Sequence, residues 1–407
     1  MSRSSRALIG LSLAVCVTPA FAAPTVNLAE IKANAITAET PTVNAASALI
    51  MDAKSGRILW SKEADVKRYP ASTTKILTAL LLLENCSLDD RVTAPFDIDK
   101  VTGSSLHLKP YEQMSVHDLL FGLMMRSAND GCEAVAKHIS GSVEGFAELM
   151  NERAVTLGAT HSHFKNPHGL HDEEHYTTAR DLAIIAREAM KNETFREVAA
   201  QQKYTVARSI NQEDRFIVNR NKLLELDDTV TGIKTGWTVP AGKCFVGSIE
   251  RNGVSLITVV LKSEDWVADT TRLNEWAMAH FVEEKLVSKG DPVGFVPVEG
   301  GRRGQAAAMA ANDVYALISS TSRVPKAVPS LDEKVKAPVS KGESLGHLEI
   351  ELEDGTILKA PILAAEDIEA KPALAATIAS PGGAAIGGLF VLSWAMLRRK
   401  SRRMTRR

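Results

Sequence analysis

Aromatic side chains are scarce, with Phe, Trp and Tyr making up 5% of the 407 residues. A surface that stacks nucleotide bases depends on them. No basic excess compensates, because 48 Lys and Arg are balanced by 49 Asp and Glu. Nucleic acid is therefore not expected as a partner. Cysteine is sparse too, at four in the chain. No Cys or His spacing has the form of a metal site. Cys86, Cys132 and Cys244 lie in the body of the chain, flanked by apolar sequence. They read as buried free thiols, with one disulfide open to them.

Charge is unevenly spread. The first 22 residues contain Arg3 and Arg6 and no acid, and the last ten contain seven basic residues and no acid. Residues 1–22 read as a signal peptide, with an apolar stretch over 8–17 and the small-x-small site Ala20-Phe21-Ala22. Val15 before Cys16 is too large for a lipoprotein box. Residues 373–397 carry no charge over 25 positions, long enough to span a bilayer. The basic tail at 398–407 fits the cytoplasmic side. The Pro381-Gly382-Gly383 lead-in also fits a cleaved sorting signal.

Between these ends the chain reads as α/β (α+β). After a leader at 23–44, two strands flank the turn Lys54-Ser55-Gly56. Helical patterns occupy 76–83, 116–125, 132–138, 145–157 and 178–190, with Thr178 a candidate cap. Strand patterns follow at 203–207, 215–219 and 231–238. Two more, at 244–249 and 255–261, are separated by Arg251-Asn252-Gly253. A helix at 269–282 closes the domain, with Leu273, Trp276, Ala277 and Phe281 on one face. This arrangement predicts an antiparallel sheet with a helical lobe over residues 45–282. Residues 283–370 turn to short Val-rich strands and Gly-rich turns, at 293–298, 313–318, 334–339 and 345–352, and predict a small β-rich domain.

Three motifs carry chemistry. Pro70-Ala71-Ser72-Thr73-Thr74-Lys75 opens an apolar helix, so Ser72 and Lys75 share a face. A buried amine deprotonates easily and can activate a neighbouring hydroxyl. An isolated Ser-x-x-Lys is commonly a cap and a snorkelling lysine, and Ser162-His163-Phe164-Lys165 repeats the spacing in turn-like sequence. The order of motifs discriminates. Ser127-Ala128-Asn129 follows at a helix end, and Lys234-Thr235-Gly236 lies on a strand. Such a set is that of acyl-serine enzymes attacked by penicillin.

These stretches, with Leu123-Met124-Met125-Arg126, Asn166-Pro167-His168-Gly169-Leu170 and Gly232-Ile233 before Lys234, resemble the D-alanyl-D-alanine carboxypeptidases, low-molecular-mass penicillin-binding proteins of serine peptidase family S11. The resemblance spans residues 45–281 strongly, and 283–370 is similar to the family's second domain. It implies a β-lactamase/DD-peptidase-like fold, Ser72 as nucleophile, Lys75 as base and Ser127 as proton relay. It implies substrate binding by Asn129, Lys234, Thr235, Gly236 and Trp237, with an oxyanion hole from the N–H groups of Ser72 and Trp237. The implied substrate is the peptidoglycan pentapeptide, and the implied reaction needs neither a metal nor an organic cofactor. β-Lactams would be covalent inhibitors, the C-terminal helix would hold the enzyme in the bacterial cell membrane, and the catalytic domain would sit outside the cytoplasm. DD-endopeptidase and β-lactamase-type hydrolysis use the same site, although no Glu-x-x-Leu-Asn for a deacylating water lies between Ser127 and Lys234. A catalytically silent wall-binding module is the alternative of another class. Two departures stand out. Residues 263–269 lack the family's carboxylate-binding arginine, for which Lys262 and Arg272 are candidate substitutes, and Trp237 is bulkier than the usual residue. His161, His163, His168, His171 and His175 cluster without a metal-ligand pattern, and read as a polar loop.

Overall fold

The computed structural model describes residues 30–32 and 39–372. The expected signal peptide, the uncharged segment 373–397 and the basic tail lie outside them. The described residues fall into two units. One runs to Leu286 and takes in Tyr315–Pro325 and Leu352–Thr356. The other comprises Val287–Val314, Lys326–Glu351 and the residues from Ile357.

The first unit is built on a five-stranded sheet, in the order Ile58–Lys62, Ser47–Asp52, Val254–Ser263, Gly242–Arg251, Val230–Thr238. Every pairing is antiparallel. Alternate residues of one strand point to opposite faces. Leu49, Met51, Val246, Ile257, Val259 and Leu261 enter the core shared with the helical lobe. Ala48, Ile50, Phe245, Leu256 and Val260 pack with Leu273, Trp276 and Ala277 of the helix Trp266–His280. Because both faces are covered, these strands read as continuous apolar runs. Asn252 and Gly253 adopt positive φ, 53° and 83°, at the hairpin turn, the conformation an Asn-Gly pair favours.

The closing helix ends at His280, one residue before Phe281. Phe281–Val287 is a strand paired with Val314–Ser319. Phe281 is therefore not part of the helical face expected of it. The β-branched Val282 and Val287 favour extended backbone there. Helix Asn129–Ser140 begins three residues before the periodicity indicated. Thr178 caps Ala179–Ala189 by accepting from the Asp181 N–H at 3.0 Å. The short helix Glu193–Ala200, capped by Asn192, carried too few apolar repeats to be legible.

The second unit is a six-stranded sheet. Ala327–Leu331, Ser344–Glu351, Ile357–Ala364, Gln305–Ala310 and Pro292–Glu299 run in succession, antiparallel. Val335–Lys336 joins Pro292–Glu299 in parallel, so the expected strand at 334–339 is only two residues long. The Ala-rich strand Gln305–Ala310 has weak β-propensity in sequence. It is held by burial of Ala306, Ala308 and Ala310.

Candidate active site

Ser72 sits in a 3-10 turn, Ala71–Thr74, that runs directly into the helix Lys75–Asn85. Every residue of that helix from Lys75 to Leu82 is buried, as a helix apolar on all sides must be. Each buried leucine contributes about 2 kcal/mol of burial energy, which anchors the turn. The Lys75 amine is drawn into this core and donates to three oxygens: Ser72 Oγ at 3.0 Å, Asn129 Oδ1 at 2.8 Å and the His168 carbonyl at 2.7 Å. Burial pulls its pKa down from 10.5 to about 8. Arg220 adds to the shift, and Cys132 and Asp130 oppose it.

The geometry dictates where the amine's lone pair points. Asn129 Oδ1 and the His168 carbonyl accept only, so they take two N–H bonds. When Lys75 is neutral the remaining direction is a lone pair aimed at the Ser72 hydroxyl.

His168 reaches this position through the turn Asn166–Gly169. Gly169 has φ +84°, and a Cβ on it would lie 1.8 Å from the Ala71 carbonyl oxygen. Only glycine permits the turn to press on the nucleophile segment. Thr78 Oγ1 donates to the Pro167 carbonyl at 2.6 Å and ties the turn to the helix. Thr74 donates to the Ala71 carbonyl and meets His175 Nε2 at 2.9 Å, while His175 Nδ1 accepts the Lys165 N–H. His175 is therefore the neutral tautomer with its proton on Nε2. Burial lowers its pKa to about 3. The His168 ring is buried beside Glu133. Ser162, the decoy serine, bonds Asp181 and Thr177 instead of a lysine.

Ser127 follows a π-helical turn, Gly122–Arg126, and adopts φ 64°. A non-glycine residue in this region costs about 1 kcal/mol or more. Asn129 is fixed on both sides: its Nδ2 donates to the Thr102 carbonyl at 2.8 Å, and its N–H to the Ser104 carbonyl at 2.7 Å. Lys234 is buried and donates to the Thr235 carbonyl at 3.0 Å. Burial holds its pKa well below the ordinary value, with Lys75 and Arg220 pushing the same way. The Lys234 strand ends the sheet, so its outer edge faces the site. A Cβ on Gly236 would come within 2.9 Å of the Ser72 nitrogen and 3.0 Å of the Pro70 oxygen. Gly236 thus lets the strand close on the nucleophile turn itself.

Ser72, Ser127, Thr235, Gly236 and the 63%-exposed Trp237 line one cleft of about 370 Å³. Lys75, Asn129 and Lys234 are buried beneath or beside it. Sequence reasoning missed other residues of its wall. Arg220, Lys222 and Lys243 line it, with Ser104 and Trp266, and no carboxylate does. Arg220 donates to Ser104 Oγ at 2.7 Å. Lys243 stands opposite Ser263 across the two strands, beside the stretch that lacks the arginine. Neither candidate substitute lines the cleft. Arg272 is paired with Asp269 at 3.1 Å, and Lys262 opens on another cavity. Of the missed residues, Asn219-Arg220-Asn221-Lys222 offered only a short basic run, and the His168 role is that of a backbone carbonyl, which no side-chain motif announces.

The wall beside Ser104 is held by a buried ion pair. Arg208 and Glu112, side chains fully buried, meet at 2.8 Å. Arg208 also donates to the carbonyls of Leu106 and His107. His107 and Tyr111 have φ of 55° and 64°, so the pair pins a loop with two strained residues. Cys86, Cys132 and Cys244 are free thiols. Cys132 is buried against the lysines, and burial raises its pKa to about 12.

Residues 34–265 match the family described as D-alanyl-D-alanine carboxypeptidase, Peptidase S11. The chain belongs to this family. Residues 281–370 match the penicillin-binding protein 5 C-terminal domain. The carboxypeptidase DacC of Escherichia coli (strain K12) is 32% identical over 355 residues, covering 82% of this chain and 86% of that protein. DacF of Bacillus subtilis (strain 168) is 30% identical, covering 80% of this chain and 86% of that protein. Among solved structures, penicillin binding protein 5 from Haemophilus influenzae superposes with a TM-score of 0.70 at 28% identity, over 82% of this chain and 99% of that one. The α+β catalytic unit and sheet-rich second unit agree with the expected fold. No helix among the described residues is long and apolar enough to cross a membrane.

Proposed function

We propose that this S11 family member is a serine-type D-alanyl-D-alanine carboxypeptidase that trims the terminal D-alanine from peptidoglycan pentapeptides and is acylated by penicillins at Ser72. The observation that carries the reading is the buried Lys75 amine, 3.0 Å from Ser72 Oγ, with its other two hydrogens spoken for by carbonyl oxygens.

In this reading the Ser72 hydroxyl donates its proton to neutral Lys75 as Oγ adds to the carbonyl between the two D-alanines. The N–H groups of Ser72 and Trp237 stabilise the oxyanion. Ser127 passes the proton to the departing amine, the C–N bond breaks and D-alanine leaves. Water then hydrolyses the Ser72 ester. With a penicillin the broken C–N bond belongs to a ring, so no fragment leaves and the ester persists. The peptide lies along the Lys234 strand as an added edge strand. Lys234, Thr235, Arg220 and Lys243 attract its terminal carboxylate, and a cationic cleft without an acid favours a free carboxylate over a blocked one. Asn129 holds Lys75, and Trp237 forms the rim.

Residues 1–22 act as a signal peptide, and 373–397 hold the enzyme in the bacterial cell membrane with residues 45–282 and 283–370 outside the cytoplasm. Incubation with labelled penicillin and mass mapping is expected to find the adduct on Ser72, absent in Ser72→Ala, and a soluble pentapeptide is expected to yield free D-alanine. A folded protein without label overturns the acyl-serine reading. Extraction of the full chain with membranes at alkaline pH tests the anchor.

A further inference from the structure

A second cavity, of about 410 Å³, lies in the catalytic unit. Lys67, Arg68, Tyr69, Tyr176, Lys262 and Glu173 line it, three cations to one carboxylate. It shares elements with the catalytic cleft. Tyr69 leads through Pro70 and Ala71 into Ser72. Pro240 and Ala241, which also line it, belong to the hairpin whose strands bring Trp237 and Lys243 to the cleft.

Its cations are placed for a ligand. The Lys67 amine is held 4.0 Å over the Tyr176 ring. Among the described residues neither Lys67 nor Lys262 forms a salt bridge. Arg68 is fixed by Nε to Ser47 Oγ at 3.0 Å and by backbone pairing with Thr177. Lys262 has φ 54°, where a lysine is strained and a glycine is at ease. Its strand shifts register here, Ser263 facing Lys243 and Val260 facing Phe245, and such a bulge re-aims the side chain that it carries. The Tyr69 and Tyr176 rings add apolar wall of the kind that packs on sugar rings, with the Lys67 amine over one face of Tyr176.

We infer that this cavity is a second, non-catalytic binding site for a carboxylate-bearing sugar–peptide stretch of the polymeric wall substrate, away from the scissile bond. The inference rests on the carboxypeptidase reading and deepens it: the enzyme grips the polymer at two places on either side of one hairpin. Polymer is then bound more tightly than a soluble pentapeptide, by a salt-sensitive margin.

The test measures KM and kcat of the full chain and of Lys67→Gln/Lys262→Gly on two substrates. One is uncross-linked peptidoglycan strands ending in D-Ala-D-Ala, and the other is a soluble pentapeptide with the same end. Lys262→Gly relieves a strained position, so the fold is not weakened there. The double variant is expected to raise KM for strands by about three- to tenfold, the loss of two exposed charge contacts. Its kcat and its KM for pentapeptide stay at wild-type values. Amidating the strands' free side carboxylates is expected to erase the wild-type advantage, whereas removing phosphate-bearing wall polymers leaves it intact. An unchanged KM for strands, or KM values that rise together for both substrates, overturns the inference. A wild-type enzyme that turns over neither substrate overturns the carboxypeptidase reading instead.

Discussion

Asn129→Asp tests what the protein does to Lys75. The change is isosteric and places a carboxylate oxygen 2.8 Å from the amine. It also removes the Nδ2 donor to the Thr102 carbonyl, so the diagnostic readout is the position of the pH limb rather than the loss at one pH. In the wild type the pKa of Lys75 is about 8 against an ordinary 10.5. At pH 7 roughly one molecule in ten then holds the free amine, against one in a few thousand for an unshifted lysine. The shift therefore multiplies the reactive fraction by a few hundred. A carboxylate in contact raises a neighbouring amine's pKa by about 1–3 units. The bare Coulomb energy at 2.8 Å and effective dielectric 20, about 6 kcal/mol, bounds this from above. The acylation rate on the alkaline-rising limb falls tenfold per unit, so Asn129→Asp is expected to lose about 10- to 1000-fold at pH 7. Much of the loss should return above pH 9. The assay is the second-order rate of labelling by a fluorescent penicillin from pH 5.5 to 10, in both proteins. Wild-type acylation that is flat with pH, or a variant limb still centred near pH 8, refutes the assignment of Lys75 as base. The same shift has a stability counterpart. Because the folded pKa is depressed, the unfolded chain binds more protons between pH 8 and 10.5. The cost of burying Lys75, about 3 kcal/mol, is fully present below pH 8 and is relieved as the pH rises to the ordinary lysine range.

Two further substitutions test the frame around the site. Glu112→Gln leaves the Arg208 guanidinium buried without its counter-charge and should cost about 3–5 kcal/mol in urea denaturation at pH 7. Burial alone would raise the Glu112 carboxyl, but hydrogen bonds from Arg208 and the N–H groups of Lys109 and Asn211 hold it below 4.5. Its contribution is thus present at neutral pH and lost on acidification through the lowered value, and a loss under 1 kcal/mol contradicts a structural clamp. Gly236→Ala puts a methyl against the backbone of Pro70, Ser72 and Thr73. It should slow penicillin labelling at least about 100-fold, as misplacement of a nucleophile by an ångström does, while the protein stays folded by circular dichroism. Labelling at the wild-type rate contradicts the close approach.

The chain's own periodicities determined the α+β order, the position of the nucleophile turn and the identity of the residues that converge. Ser72 and Lys75 are bound together by helical spacing, and such local geometry is legible in sequence. Distances of fifty to a hundred and sixty residues along the chain are not. Only the tertiary structure brings Asn129 and the His168 carbonyl to the Lys75 amine, and so decides which way its lone pair points. Only strand register sets Lys243 opposite Ser263, and so places cations in the cleft where the flanking sequence had none. The close approach at Gly236 was hidden for the same reason. A motif says that a glycine is present, while the backbone it would otherwise strike belongs to a turn 160 residues earlier. Burial, finally, is a property of the assembled core: the same lysine on a solvated helix would keep its proton at neutral pH.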